Sequence, residues 1–294
     1  FMVPSAVPAT DVETNGCGEF LASDMMKYVD NARVLGLGET MRFLECCEGE
    51  KRMADKLELF AKKHIDGHAP GIHGKEVQAY RLAGVENDHE CSTAEEVLDK
   101  LRAGLHIYVR EGSGAKNLET LIKTMLDAGV CLDRCAFCTD DKHVEEIRKE
   151  GHISTCIRKA IALGVPVAKA YKMGSYQAAE FYGLKNYGAI GAGYRADIVF
   201  LDDLEQVRPL DVMKDGRILT EEDYAKDYSV PVPDELLHTV HVGEVTKDKI
   251  RLSCDGKTDV IQMNPHQIVT THLIEEVPTE NGYFKPDGVY NKIC

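Results

Sequence analysis

The stretch LHIYVREGSGAKNLETLIKTMLDAG (105–129) is one complete unit of chain. A short apolar run ends in polar residues, a charged segment follows with apolar residues at helical spacing, and a glycine closes it. Another apolar run ending in acids, RCAFCTDD (134–141), comes next. The same alternation extends from about residue 30 to about residue 165. ARVLGLGE (32–39), HIDGHA (64–69) and AGVENDHE (83–90) are further apolar runs, and GKEVQAYRLAG (74–84) and STAEEVLDKLRAG (92–104) are further helical stretches. Ser92-Thr93 ahead of Glu95-Glu96 is a helix start, a hydroxyl cap followed by acids in the first turn.

Strand, helix, strand, helix with short links builds parallel βα units. No GxGxxG phosphate fingerprint accompanies them, which favours a (β/α) barrel over a doubly wound sheet. From about residue 186 the texture changes. NYGAIGAGYRADIVFLDDLEQVRPLDVMKDGRI (186–218) is glycine-punctuated and β-like, with a hairpin signal at Lys214-Asp215-Gly216. TEEDYAKDYSVPVPDE (220–235) reads as a linker or long loop, and HTVHVGEV (238–245) and KIRLSCDG (249–256) read as further β structure. The expected fold is therefore α/β: a partial (β/α)8 TIM-type barrel over 1–185, then a smaller β-rich domain with linker over 186–294.

A formal net charge of −14 argues against a nucleic-acid partner, because phosphate binding needs a basic surface. No apolar run of about 18 residues occurs, so no membrane span is expected. The first twenty residues, FMVPSAVPATDVETNGCGEF, lack a basic leader region and carry Pro4 and Pro8 where a signal peptide needs an unbroken apolar run; they read as a strand and loop entered in mid-domain. Ten cysteines without regular spacing suggest reduced thiols in a cytoplasmic protein. A homo-oligomer is expected.

In a barrel, polar residues at the C-terminal ends of strands carry the chemistry. Glu39, His68, His89, Glu111 and Asp140 stand there. Alone, each has an ordinary explanation: a capped or surface histidine, a solvated carboxylate, or, for Asp140-Asp141, a helix cap. Together Glu39, His68, His89 and Asp140 fall at one edge of four successive strands, and imidazoles with carboxylates are the ligand set of zinc, manganese or iron.

That order of Glu, His, His and Asp resembles the amidohydrolase superfamily of metal-dependent barrels. VLGLGE (34–39), IDGHAPG (65–71), DHECSTAEEVLDKLRAG (88–104), REGSGAKNL (110–118), CTDDKH (138–143), KEGHI (149–153) and YGAIGAGYRADIVFLDDLE (187–205) are, more narrowly, similar to the adenine deaminase family. The resemblance implies a binuclear divalent centre, with Mn2+ or Fe2+ first and Zn2+ as a further candidate. It places Glu39 on barrel strand four as the bridging ligand, His68 and His89 on strands five and six at the second metal, and Asp140 on strand eight at the first metal. The substrate implied is adenine: hydroxide formed at the metals attacks C6, Asp140 shuttles the proton, and ammonia leaves hypoxanthine. Glu90 and Glu111 are candidates for protonating ring N1. Asp141 would contact the purine, with a helix cap as its alternative, and Arg110, Glu111 and Ser113 would line the base pocket, with an Arg–Glu pair at a helix start as theirs. His73, His143 and His152 are read as solvated.

The family carries an HxH pair on strand one, and no HxH is found here; the nearest pattern is the HxxH of His238 and His241. FMVPS resembles the strand-three region, so the barrel is expected to comprise strands three to eight. The early half of the small β domain and a far C-terminal domain beyond PDGVYNKIC (286–294) are expected to be absent. A barrel without two strands has open edges, so the chain by itself is expected to be inactive or poorly folded unless those strands are supplied. Three alternatives stand beside this reading. One is another cyclic amidine or amide hydrolase of the superfamily, one is a structural zinc or redox module at Cys135-x-x-Cys138, and one is an inactive barrel scaffold.

Overall fold

The structure, a computed structural model, describes residues 1–5, 19–237 and 243–291. The HxxH pair, with the first part of the β-like run at 238–245, and most of the N-terminal stretch read as strand and loop lie outside the described residues. By packing, the chain divides into two compact units, Phe1–Leu219 with His266–Ile268 and Thr220–Pro265 with Val269–Cys294. The change of texture near residue 185 falls inside the first unit.

In the first unit β1 (Met2–Pro4), β2 (Gly36–Thr40) and β3 (His64–Gly67) form one parallel sheet, and β4 (Asn87–Asp88), β5 (His106–Arg110) and β6 (Cys135–Cys138) form another. β3 and β4 run side by side, joined where the Glu86 N–H donates to Ile65 O at 3.0 Å. No closed barrel forms among the described residues. Helices fill the crossovers: α1 (Ala22–Val29), α2 (Phe43–Glu48) and α3 (Lys51–Leu59), then α4 (Gly74–Leu82), α5 (Ala94–Arg102) and α6 (Leu118–Asp127). After β6 come α7 (Val144–Glu150), α8 (Ile153–Ala162), α9 (Val167–Gly174) and α10 (Tyr176–Phe181). The strand and helix alternation expected from about 30 to about 165 is present as far as β6; beyond Cys138 four helices follow, with no strand among the described residues before Ile198.

Local chemistry explains the boundaries. Thr93 Oγ1 accepts the Glu96 N–H at 3.3 Å while Glu96 Oε2 accepts the Thr93 N–H at 2.9 Å, a capping box that starts α5. Period-two alternation decides which face each strand residue takes. On β5, Ile107 and Val109 enter an apolar core with Leu121, Ile122 and Met125 of α6 and Met173 of α9, which leaves His106, Tyr108 and Arg110 on the opposite face. A second core joins Val3, Leu37 and Ile65 to Met25, Phe60 and Tyr80. The same alternation separates the two thiols of the CxxC, since residues three apart on a strand face opposite sides. Cys135 Sγ packs 3.7 Å from Met125 Sδ, and Cys138 Sγ lies 3.8 Å from Tyr108 O. They cannot share a metal on this strand, which removes the main feature of the structural-zinc alternative.

β7 (Ile198–Leu201), β8 (Pro209–Lys214) and β9 (Arg217–Ile218) form an antiparallel sheet within the first unit. The hairpin expected at 214–216 is there, with Asp215 and Gly216 at φ of 52° and 79°, as a two-residue turn between twisted strands requires. The second unit contains α11 (Glu221–Ala225), α12 (Asp234–Leu237) and two antiparallel pairs, β10 (Lys257–Gln262) with β11 (Thr271–Glu276) and β12 (Thr279–Glu280) with β13 (Tyr283–Phe284). The stretch 220–235 is thus more than a linker: Asp223 accepts the Thr220 N–H at 2.8 Å and starts a short helix. KIRLSCDG, read as β, forms no strand of its own: it makes an isolated bridge between Ser253 and Tyr283, flanked by the Phe284 N–H donating to Leu252 O at 2.9 Å and the Cys254 N–H to Gly282 O at 3.1 Å, because β13 is only two residues long. Among the described residues, no helix is long and apolar enough to cross a membrane.

Candidate metal centre

The ends of β2 to β6 bring most of the candidate residues together. Glu39 lies where the register of β2 against β3 shifts, with φ of 27°. His68 follows β3, and its N–H donates to the Tyr80 hydroxyl at 2.9 Å; that hydroxyl donates to Thr40 O, also at 2.9 Å. Tyr80 of α4 is fully buried, so one phenol ties the end of β2 to the end of β3. His89 follows β4. His68 Nδ1 is 3.7 Å from Glu39 Oε2, and His89 Nε2 is 3.7 Å from Glu39 Oε1 and 3.1 Å from Glu90 Oε1. The two imidazoles meet edge to face with centroids 5.4 Å apart.

On the other side stands Asp140, beyond β6, at φ of 48°. Arg110, at the end of β5, joins the two sides: its Nη1 is 2.5 Å from Glu90 Oε1, and its Nη2 is 2.5 Å from Asp140 Oδ2 and 3.1 Å from Asp141 Oδ1. Two donor groups result, Glu39–His68–His89 and His89–Glu90–Asp140, in each of which the ligand atoms all lie within 4.8 Å of one another. They share His89.

Asp141 joins this cluster through Arg110 and accepts the Gly114 N–H at 2.5 Å. It does not cap α7, whose N-cap residue is His143. Glu111 and Ser113 lie apart from the donor groups. The Glu111 carboxylate pairs with Lys159 of α8, and the Ser113 hydroxyl donates to Glu146 of α7 at 2.9 Å. Nor is His152 simply solvated, since its Nε2 is 2.7 Å from Thr139 Oγ1, next to Asp140. Gly112 sets the loop's shape: a Cβ there would fall 1.6 Å from Asp141 Oδ1 and 2.9 Å from Thr139 O. Gly112→Ala should therefore push Asp141 off Arg110 and cost about 1–3 kcal/mol, the usual penalty of overpacking. Urea denaturation measures it, and an unchanged midpoint would mean that Asp141 yields freely.

A buried ion pair supports the donors from beneath. Asp88 and Lys100 are both fully buried, 2.9 Å apart. Asp88 accepts the Ala69 N–H at 2.8 Å and the Glu90 N–H at 3.0 Å, and Lys100 Nζ donates to Ala69 O at 2.6 Å. Ala69 and Glu90 each stand one residue past a histidine of the cluster. Burial pushes the Asp88 carboxyl up, yet the Lys100 ammonium, with His89 and the Ala69 N–H, holds it below the usual carboxylate range. The signal available was the polar pair Glu96 and Lys100 one turn apart on the side of α5 that also buries Val97.

Electrostatics sets the charge of the two imidazoles. Burial disfavours a charged His89, but its hydrogen bond to Glu90 and the charges of Asp88, Glu90 and Glu39 raise it to about 9. Burial lowers His68 despite Glu90 and Glu39, so it stays neutral. Its Nδ1 is buried with no hydrogen-bond partner, an arrangement that ordinarily costs about 1–3 kcal/mol. A neutral imidazole with an orphaned nitrogen, beside one that its acidic surroundings keep protonated, fits a site built for a cation. The donors are nitrogen and oxygen, suited to divalent manganese, iron or zinc.

A model of the Amidohydrolase family matches residues 50–219. The chain is 41% identical over 293 residues to the adenine deaminase of Desulfitobacterium hafniense (strain Y51), covering 99% of this chain and 51% of that protein. It is 40% identical over 301 residues to the adenine deaminase of Clostridium acetobutylicum, covering 100% and 52%. The chain thus spans about half the length of the curated relatives it matches. Among solved structures, a β-aspartyl dipeptidase from Fervidobacterium islandicum AW-1, in complex with a β-Asp-Leu dipeptide, superposes with a TM-score of 0.52 at 18% identity, over 74% of this chain and 66% of that one. That likeness shows the fold alone.

Proposed function

Since the chain belongs to the amidohydrolase family, we propose that it serves the hydrolytic deamination of adenine to hypoxanthine and ammonia, in cytoplasmic purine salvage, with the strand-end cluster as a binuclear divalent metal centre. The observation that carries the reading is the pair of donor groups sharing His89. The activity of the adenine deaminases at about 40% identity selects adenine among the substrates such a centre could serve. In this reading β1 to β6 are barrel strands three to eight, and Glu39, His68, His89 and Asp140 are the ligands.

A bound divalent pair supplies Lewis acidity, bringing the ionisation of water close to neutral pH. The chain's own residues do the rest. Asp140 takes a proton from the attacking water and returns it to N6 as the C6–N6 bond breaks. Of the two water protons, one leaves in ammonia and the other ends on ring N1. Glu90 suits the transfer to N1 better than Glu111, because it lies inside the cluster while Glu111 is held by Lys159. Arg110 clamps Glu90 to Asp140, and Asp141, set by the Gly114 N–H, faces the base.

The test is a substrate panel. With the part of the relatives that this chain does not span supplied, and Mn2+, Fe2+ or Zn2+ added, adenine should yield hypoxanthine and ammonia one to one, while other aminopurines and hydantoins stay intact. Hydantoin opening would instead favour a different amide hydrolase of the family. Metal binding without turnover of any compound would favour a scaffold.

A further inference from the structure

The loops that leave the centre approach one another again at their far ends. The loop from His68 runs to His73, the residue ahead of α4, and the loop from His89 enters α5, where Glu95 and Asp99 stand one turn apart. Ligand atoms of His73, Glu95 and Asp99 all lie within 4.8 Å of one another. His73 does not cap α4 with its side chain. Its Nδ1 is buried and has no hydrogen-bond partner, although the side chain as a whole is 38% exposed, and it faces Asp99 Oδ2 at 3.8 Å. Asp99 spends its other oxygen on Arg102 at 3.3 Å, and its Oδ2 also accepts the Gly74 N–H at 3.3 Å. A solvated histidine would keep both ring nitrogens in water. This one turns Nδ1 away from water, toward the Asp99 carboxylate.

From this geometry we infer a second divalent-cation site formed by His73, Glu95 and Asp99, separate from the strand-end centre. One imidazole and two carboxylates suit Zn2+ or Mn2+, with water completing the coordination. A cation there clips together the far ends of the two loops that carry His68 and His89. The loops are already tied where the Gly71 N–H donates to Glu96 Oε1 at 2.6 Å and the Gly74 N–H to Asp99 Oδ2 at 3.3 Å. The site would hold ligands in place and touch no substrate.

Zn2+ is the probe. Calorimetric titration and metal analysis after dialysis should show His73→Ala and Glu95→Gln binding one equivalent fewer than the unsubstituted chain, or binding it roughly a hundredfold more weakly, since even partners of metal ligands are worth 10–100-fold. His89→Ala should keep this equivalent and lose zinc at the strand ends, so failure of the two sites is told apart. Glu95 is exposed on α5, so Glu95→Gln gives the answer even if His73→Ala folds badly. Zinc stoichiometry and affinity unchanged in Glu95→Gln and in a folded His73→Ala would overturn the site.

Discussion

Lys100→Met is expected to lower the unfolding free energy by about 3–5 kcal/mol, the cost of leaving a buried partner charge uncompensated. Asp88 has no route to solvent, and its oxygens already accept the Ala69 and Glu90 N–H groups. Without the ammonium it must either stay charged in the interior or take up a proton, and protonation weakens its hold on both backbones. The double variant Asp88→Leu/Lys100→Met should recover only part of the loss, because it removes the buried charge but strands two N–H donors. Urea denaturation at pH 7 measures each variant.

The pH dependence is a second check on the same pair. Asp88 titrates lower folded than unfolded, so its contribution is full above the unfolded aspartate value of about 3.9 and fades as pH falls through the folded value. Lys100 titrates higher folded than unfolded, so its contribution is full below about 10.4 and fades as pH rises through the folded value. The pair's own contribution should therefore be full between about pH 5 and 9. In Lys100→Met, burial without the ammonium raises Asp88 above its unfolded value, so the deficit should widen as pH rises from about 4 and narrow as pH falls. A deficit independent of pH would show that the Ala69 and Glu90 N–H groups hold Asp88 ionised without Lys100.

Much of this architecture was legible because it depends on periodicity. Alternation of apolar runs with helical spacing located β2 to β6, and the polar residue ending each run marked the edge where donors gather. Reach across the fold was not legible. Lys100 reads as a surface lysine four residues from Glu96, and nothing in its spacing says that it crosses to Ala69, 31 residues away. Tyr80 reads as an apolar position of α4, while its hydroxyl joins two strand ends. Arg110 reads as part of a base-binding loop, but the packing of β5 between β4 and β6 sets its guanidinium between carboxylates from both neighbours. Glu111, the next residue along the chain, faces the other way, toward Lys159. Alternation also overreached at KIRLSCDG, where the partner β13 is two residues long and a single bridge at Ser253 is all that forms.

With the part of the relatives that this chain does not span supplied, Asp140→Asn is expected to slow adenine turnover by roughly 10²–10⁴-fold, the range that a general acid–base group supplies, while the metal stays bound. The substitution separates the two roles proposed for this residue. Asparagine keeps the size of the side chain and one oxygen able to act as a ligand, and it tolerates positive φ better than most residues, so the backbone at 48° is not strained by it. What it cannot do is carry the proton from water to the departing amine. Arg110 lies 2.5 Å from Asp140 Oδ2, so the single amide oxygen serves either the guanidinium or the metal, and Glu39, His68 and His89, which the substitution leaves intact, keep metal bound in either case. Turnover and bound metal must be measured on the same sample. A rate that falls only in proportion to lost metal would make Asp140 a ligand without a part in proton transfer. An unchanged rate would remove it from the reaction and leave Glu90, the one other carboxylate in its donor group, as the base.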